Sequence, residues 1–207
     1  MTVETARRKP TQARARERVE RILAAATDIV SETGSEPMRM SEIAERAGVP
    51  IGSLYQYFPD KAAILRTLAI RVMERVRQGL VAGFAEIRSA EDAIARVDAS
   101  LTDYYRLFLE EPVVRDIWSG TQSDKALQEL DIEDSRENAR IFFAALKHLV
   151  ARRDQARLEA ASFLLMQLTG AAVRLAIAVD RKEGDRLMKE YRALMRRELE
   201  SLLQAQG

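Results

Sequence analysis

The chain has no cysteine, and only one histidine and one tryptophan among its 207 residues. Without cysteine there is no disulfide, no thiol nucleophile and no thiolate metal site, and nothing points to secretion. With His148 alone, neither a three-histidine nor a Cys/His metal site can be built. Lodged between Lys147 and Leu149, that histidine also lacks a catalytic partner. Glycine and proline are sparse, at 9 and 5 residues, and no Gly-rich phosphate loop is present. An enzyme is therefore the weakest functional class, and no catalytic residue, metal or cofactor is expected. Carboxylate pairs such as Glu110/Glu111 and Glu133/Asp134 read as solvated surface. The N-terminus is basic without an apolar run, so no signal peptide is expected.

What is present is a helix-rich globular composition, 47% apolar and 31% charged, with ample material for a core. Net charge is only +1, but it is unevenly spread. Residues 7–21 hold seven Arg/Lys against two Glu, whereas residues 110–137 hold nine Asp/Glu against three Arg/Lys. A basic head and a distant acidic flank fit a protein that meets phosphate at one end.

Apolar periodicity predicts an all-α fold of about nine helices. Residues 1–13 show no apolar period and read as a flexible basic arm, with Arg7, Arg8 and Lys9 available to a DNA backbone or minor groove. From Arg14 a helix carries Val19, Ile22, Leu23, Ala26, Ile29 and Val30 at three- and four-residue spacing, ending at Gly34. Ser41 to Ala47 is a second, short helix that Gly48 stops. Pro50 to Tyr57 is a third, with Pro50 in its first turn and Leu54 and Phe58 inward. Asp60 caps a fourth, which runs to about Phe84. The body begins near Ser89, with helices at Ser89 to Glu110, Val113 to Trp118, Lys125 to Arg152 and Asp154 to Asp180. Gly184 is expected to separate a final helix, Asp185 to Gln204.

Two short helices joined by a tight Gly-containing turn make a helix-turn-helix, whose second helix fits a DNA major groove. Here that helix already has its buried residues, leaving Ile51, Ser53, Tyr55, Gln56 and Tyr57 to face elsewhere. Residues 22–65, ILAAATDIVSETG…MSEIAERAGVPIGSLYQYFPDKAAIL, resemble the DNA-binding domain of the tetracycline-repressor (TetR) family. Ile43, Ala44, Ala47, Gly48 and Val49, then Leu54, Tyr55, Tyr57, Phe58 and Lys61, stand at the family's offsets. Beyond this first third, only length and helical character resemble it. Three positions depart from the pattern: Ser35 replaces a usual aromatic, Arg39 a usual helix-capping threonine that touches phosphate, and Val30 a usual phenylalanine.

The resemblance implies a DNA-binding domain over 14–62 and a ligand-binding and dimerisation domain over 63–207. The expected DNA contacts are Arg14, Arg16, Arg39, Ser41, Pro50, Ile51, Gly52, Ser53, Tyr55, Gln56, Tyr57 and Lys61. Ile51, Gly52 and Ser53 lack long polar side chains for bidentate base contacts. Phosphate contacts and DNA shape are therefore expected to dominate.

In the body, Tyr104, Tyr105, Phe108, Trp118, Phe142, Phe143, Phe163 and Met166 gather as aromatic and sulphur residues, and most belong to a core. The family's ligand cavity nonetheless makes them candidate ligand contacts, with Gln167 and Thr169 as polar ones. The implied effector is apolar or aromatic with little charge.

Ala160 to Val179 is almost wholly apolar and about long enough to cross a bilayer. Gln167, Thr169, Gly170 and Arg174 interrupt it, however, and its small residues suit close helix packing. A helix apolar all round needs cover all round, and with the stripe Leu187, Tyr191, Leu194, Met195, Leu199 and Leu202 it resembles the family's four-helix dimer interface. The reading is a cytoplasmic, homodimeric repressor of a near-palindromic double-stranded operator, released by a small molecule, with no membrane partner. Its rivals are an architectural DNA-binding protein without an effector, and a helical interaction module that binds no DNA.

Overall fold

In a computed structural model, residues 5–120 and 124–203 are described, with side chains from residue 12 onward. They form nine α-helices and two 3-10 turns, with no strand among the described residues. The helices are α1 (Thr5–Thr33), α2 (Met40–Arg46), α3 (Ile51–Tyr57), α4 (Lys61–Gly83), α5 (Ala90–Glu110), α6 (Pro112–Gly120), α7 (Lys125–Leu146), α8 (Gln155–Ala178) and α9 (Arg181–Leu203). The chain divides into two compact units, Met1–Ile70 and Arg71–Gly207, with the division inside α4.

The first unit packs α1, α2, α3 and the start of α4 around Ile22, Leu23, Ile29, Ile43, Leu54 and Ile64, all fully buried. Helix α1 begins at Thr5, so the expected flexible arm over 1–13 is helical from residue 5. Ala6, Arg7, Arg8 and Lys9 are strong helix formers, and propensity needs no apolar period to act. The rest of the arm, residues 1–4, lies outside the described residues, as do the side chains of Arg7, Arg8 and Lys9. Gly34 closes α1 at φ +84°, where its amide bonds the Val30 carbonyl. At the other end, the Asp60 carboxylate accepts the Ala63 amide at 2.7 Å and caps α4.

The second unit is built on amphipathic α5 and on the layered helices α7, α8 and α9. Ser89 caps α5 by accepting the Asp92 amide, and Ala93, Val97, Leu101, Tyr105 and Phe108 bury one face. Phe84 and Phe142 meet edge to face at 5.5 Å in a core that includes Leu146, Leu158, Met195 and Leu199. Helix α7 ends at Leu146, short of the expected Arg152. Two 3-10 turns, Lys147–Leu149 and Arg152–Asp154, follow, and His148 Nε2 donates to the Ile87 carbonyl.

Gly184 does not break the chain but lies inside α9. A Cβ there would stand 2.3 Å from the Ala176 carbonyl oxygen, so the glycine is where α9 crosses α8 with no room for a side chain. Residue 204, the expected end of this helix, lies outside the described residues. Residues 152–178 are the one segment among the described residues long and apolar enough to cross a membrane. In this fold, α8 instead packs between α7 and α9.

Across α5 and α9, Asp98 accepts a two-point hydrogen bond from Arg192, with Nε–Oδ1 at 2.8 Å. That bond holds the Asp98 carboxyl below its ordinary range. Its stabilising contribution is therefore full above the unfolded aspartate value and lost as pH falls through the lowered folded value. Both side chains are about one-third exposed, so the pair is worth no more than about 1 kcal/mol. We expect Asp98→Asn to lower the urea midpoint at pH 7, with the gap to wild type closing as pH falls below the ordinary aspartate range. A gap unchanged in acid would contradict the assignment.

Candidate nucleic-acid interface and body cavity

The turn between α2 and α3 has a complete helix-stop geometry. Gly48, at φ +62°, donates its amide to the Glu45 carbonyl, and the Val49 amide reaches back to Ala44. These are the two bonds of a Schellman motif, and Val49 and Ala44 are both buried beneath it. Pro50 then stands as N-cap of α3 rather than in its first turn. Its carbonyl accepts from Ser53 and Leu54. With Leu54 buried inward, Ile51 and Tyr55 are left 44% and 51% exposed, one turn apart on the open face. Gly52 and Gln56 are exposed beside them, while Ser53 and Tyr57 are half-buried. A Cβ added at Gly52 would meet nothing within 4 Å. No internal packing requires this glycine, which costs helix stability.

Arg14, Arg16, Arg39, Ser41 and Pro50 are exposed. Arg39 precedes α2 in extended backbone without a side-chain cap, so the missing threonine cap is not replaced. Lys61 is more occupied than its spacing suggested. Its Nζ donates to the Ser35 and Glu36 carbonyls at 3.2 and 2.7 Å, tying the α1–α2 link to the start of α4. One of its three N–H bonds remains for a phosphate.

The second unit contains a cavity of about 370 Å³. Of the residues predicted for a ligand, Tyr104, Trp118, Phe142 and Met166 line it. Five others lie outside the lining. The Tyr105 hydroxyl donates to Asp185 at 3.2 Å. Phe108 is buried edge-on between Tyr104 and Trp118, and Phe143 packs against the core cluster. Phe163 carries the Arg136 guanidinium 4.6 Å above its ring, and the Gln167 amide donates to the Asp131 carbonyl. Thr169 does line the cavity, and its hydroxyl bonds the Leu165 carbonyl and the Tyr191 hydroxyl.

The polar wall that sequence reasoning missed is on α7. Asp131, Asp134, Ser135 and Asn138 all face the cavity, at i, i+3, i+4 and i+7. Asp134 is thus not solvated surface: its side chain is 14% exposed, and burial pushes its carboxyl above the ordinary range despite Arg77. Glu111, also read as surface, stands at the cavity paired to Arg75 at 2.7 Å. Burial likewise raises the Tyr104 hydroxyl, with Asp131 adding to it. The available signal was a run of polar residues falling on the core-facing positions of an amphipathic helix, between Leu127 and Phe142.

A Gly-turned helix pair with an open second helix, joined to an all-helical body with a cavity, defines a helix-turn-helix transcriptional regulator. Residues 22–68 match the family described as bacterial regulatory proteins, tetR family, and residues 91–203 match the tetracyclin repressor-like C-terminal domain. The chain belongs to the tetracycline-repressor family. It is 46% identical over 61 residues to the HTH-type transcriptional repressor KstR of Mycolicibacterium smegmatis, a match spanning 30% of each chain. A TetR-family regulator from Pectobacterium atrosepticum superposes with TM-score 0.71 at 19% identity, covering 92% of this chain and 96% of that one. The SmeT–triclosan complex gives 0.59 at 18% identity, covering 89% and 90%. These two likenesses speak for the fold.

Substituting Lys61→Met keeps the aliphatic stem and removes both carbonyl bonds. We expect a loss of about 1 kcal/mol, since the bonds are charge-assisted but partly solvated, read as a lower urea midpoint. An unchanged midpoint would mean that Lys61 does not hold the α1–α2 link.

Proposed function

We propose that this regulator is a cytoplasmic homodimeric repressor, binding a near-palindromic operator through α3 and released when a small apolar molecule enters the body cavity. The observation that carries the DNA reading is the open face of Ile51, Gly52, Tyr55 and Gln56 on a helix whose inner face is already buried. Ile51 suits a thymine methyl and Gly52 a close backbone approach. Phosphate contacts from Arg14, Arg16, Arg39, Tyr55, Tyr57 and the third N–H of Lys61 supply most of the affinity, with Ser41 and Ser53 beside them. DNA shape supplies much of the selectivity.

Support for the dimer comes from α8 and α9. Leu164, Leu168 and Leu175 are 58%, 43% and 53% exposed, and Leu194 is 55% exposed. The α8 leucines lie at i, i+4 and i+11, one continuous stripe. A two-fold pair of such faces would cover both copies. Support for the effector comes from the cavity and from the SmeT–triclosan complex, in which a protein of this fold holds a small molecule. Helix α4 carries residues of both units and is the route by which the ligand would alter the heads. It acts by binding the two states unequally.

The test is selection from random duplex DNA at near-physiological salt, repeated with Gly52→Ala. We expect a palindrome with half-sites about one helical turn (roughly 34–36 Å) apart or slightly more. The variant should be more stable by about 0.5–1 kcal/mol yet bind the selected DNA at least several-fold more weakly. Salt-sensitive binding with no enriched sequence would favour an architectural protein. Undiminished binding by Gly52→Ala would remove α3 from the interface.

A further inference from the structure

The cavity meets solvent along α4 and α5. Of its described lining residues, only Arg75, Gly79 and Asp103 are exposed. Arg75 and Gly79 stand one turn apart on α4, and Asp103 stands on α5. Every lining residue from α6 to α9 is half-buried or buried. The opening is therefore a slit between α4 and α5, and two contacts mark its ends. At one end the helices touch, since a Cβ built on Gly83 would stand 3.5 Å from Ser100 Oγ. At the other, Arg75 Nη2 donates to Glu111 Oε2 at 2.7 Å, where Glu111 caps the end of α5. Both partners of this pair line the cavity, yet their side chains are 54% and 36% exposed. The pair thus stands where cavity and solvent meet.

Between these ends α4 rises roughly 12 Å, at about 1.5 Å per residue, and Gly79 lies midway. A Cβ added to Gly79 would meet nothing within 4 Å. Glycine inside a helix is destabilising, and no packing contact calls for one at this position. The effect of its missing side chain is to leave the middle of the slit uncovered. Behind it, Leu80, Tyr104, Leu107 and Trp118 present apolar lining. The Arg75–Glu111 pair also has the weakness a gate needs, because an ion pair this exposed contributes little and is screened by salt. Asp131 and Arg174, deeper in the body, differ in this respect. Both are less than one-fifth exposed, and a pair so buried is costly to open.

We propose that the slit between α4 and α5 is the entrance of the cavity, with Gly79 holding its middle open and Arg75–Glu111 as a latch across one end. This rests on the reading of the body as an effector-binding unit. A small guest passes over Gly79, the latch parts to let it through, and the pair re-forms behind it. A contact that is present before and after passage, but broken during it, raises the barrier alone. Opening the latch therefore speeds entry and exit by the same factor and leaves Kd where it was.

The test uses the full chain and 1-adamantanol, an uncharged probe whose own encounter with the protein is not steered by charge. Trp118, the only tryptophan, lines the cavity and reports the rates by stopped-flow fluorescence, with calorimetry supplying Kd. In Glu111→Gln we expect association and dissociation to rise together by about two- to fivefold, the factor an exposed pair contributes, with Kd unchanged. Salt at about 1 M should bring the wild-type rates close to those of the variant, because it screens the pair. Gly79→Cys supplies a second arm. The chain has no other cysteine, and the added side chain has open space around it. Capping that thiol with a bulky hydrophilic methanethiosulfonate should slow both rates severalfold, and dithiothreitol should restore them in the same sample. Unchanged rates in either arm, or a change confined to Kd, would overturn the proposal and leave the effector cavity standing. If calorimetry finds no binding of the probe to the wild type, the effector reading falls, and the entrance with it.

Discussion

Helix α8 is apolar almost all the way round, and such a helix must be covered on every side. Much of the second unit follows from how that cover is divided. Leu158, Leu165 and Val173 go into the core. Met166, Thr169 and Gly170 face the cavity. Leu164, Leu168 and Leu175 are left to solvent in the single chain. The close crossing at Gly184 fixes α9 against this helix, since any Cβ there would strike the Ala176 carbonyl. The polar groups of α8 obey the same rule. Ser162 and Thr169 satisfy their hydroxyls on carbonyls four residues back, and Arg174 finds Asp131.

The helix-turn-helix was legible because its determinants are local. A glycine at positive φ, a valine that folds back beneath the turn, and two inward residues at i, i+4 are all written within eighteen consecutive residues. Tertiary contacts only confirm them. The cap at Asp60 and the end at Gly34 were legible for the same reason. Gly184 was misread because a glycine has two uses, ending a helix or letting another backbone approach. Only the position of Ala176 distinguishes them. The early start of α1 was missed because periodicity detects burial, whereas propensity can extend a helix without a buried stripe.

The cavity was half legible. Aromatic residues were the natural candidates, yet Phe108 and Phe143 serve packing and Phe163 serves a cation. The informative residues were the polar ones. Asp134 and Asp131 occupy cavity-facing positions on α7, and their partners Arg77 and Arg174 come from helices distant in sequence. Nothing short of the folded arrangement brings those four together, so the carboxylate looked like surface.

If, as proposed, a molecule in the cavity weakens operator binding, the two sites are coupled, and coupling is reciprocal. The direct measurement is the affinity of a compact apolar probe, 1-adamantanol, for the free protein and for the protein saturated with its selected DNA. Such coupling gives weaker binding to the DNA-bound form, by about fivefold or more, in the usual range of coupling between sites. Equal affinities for the two forms would contradict it.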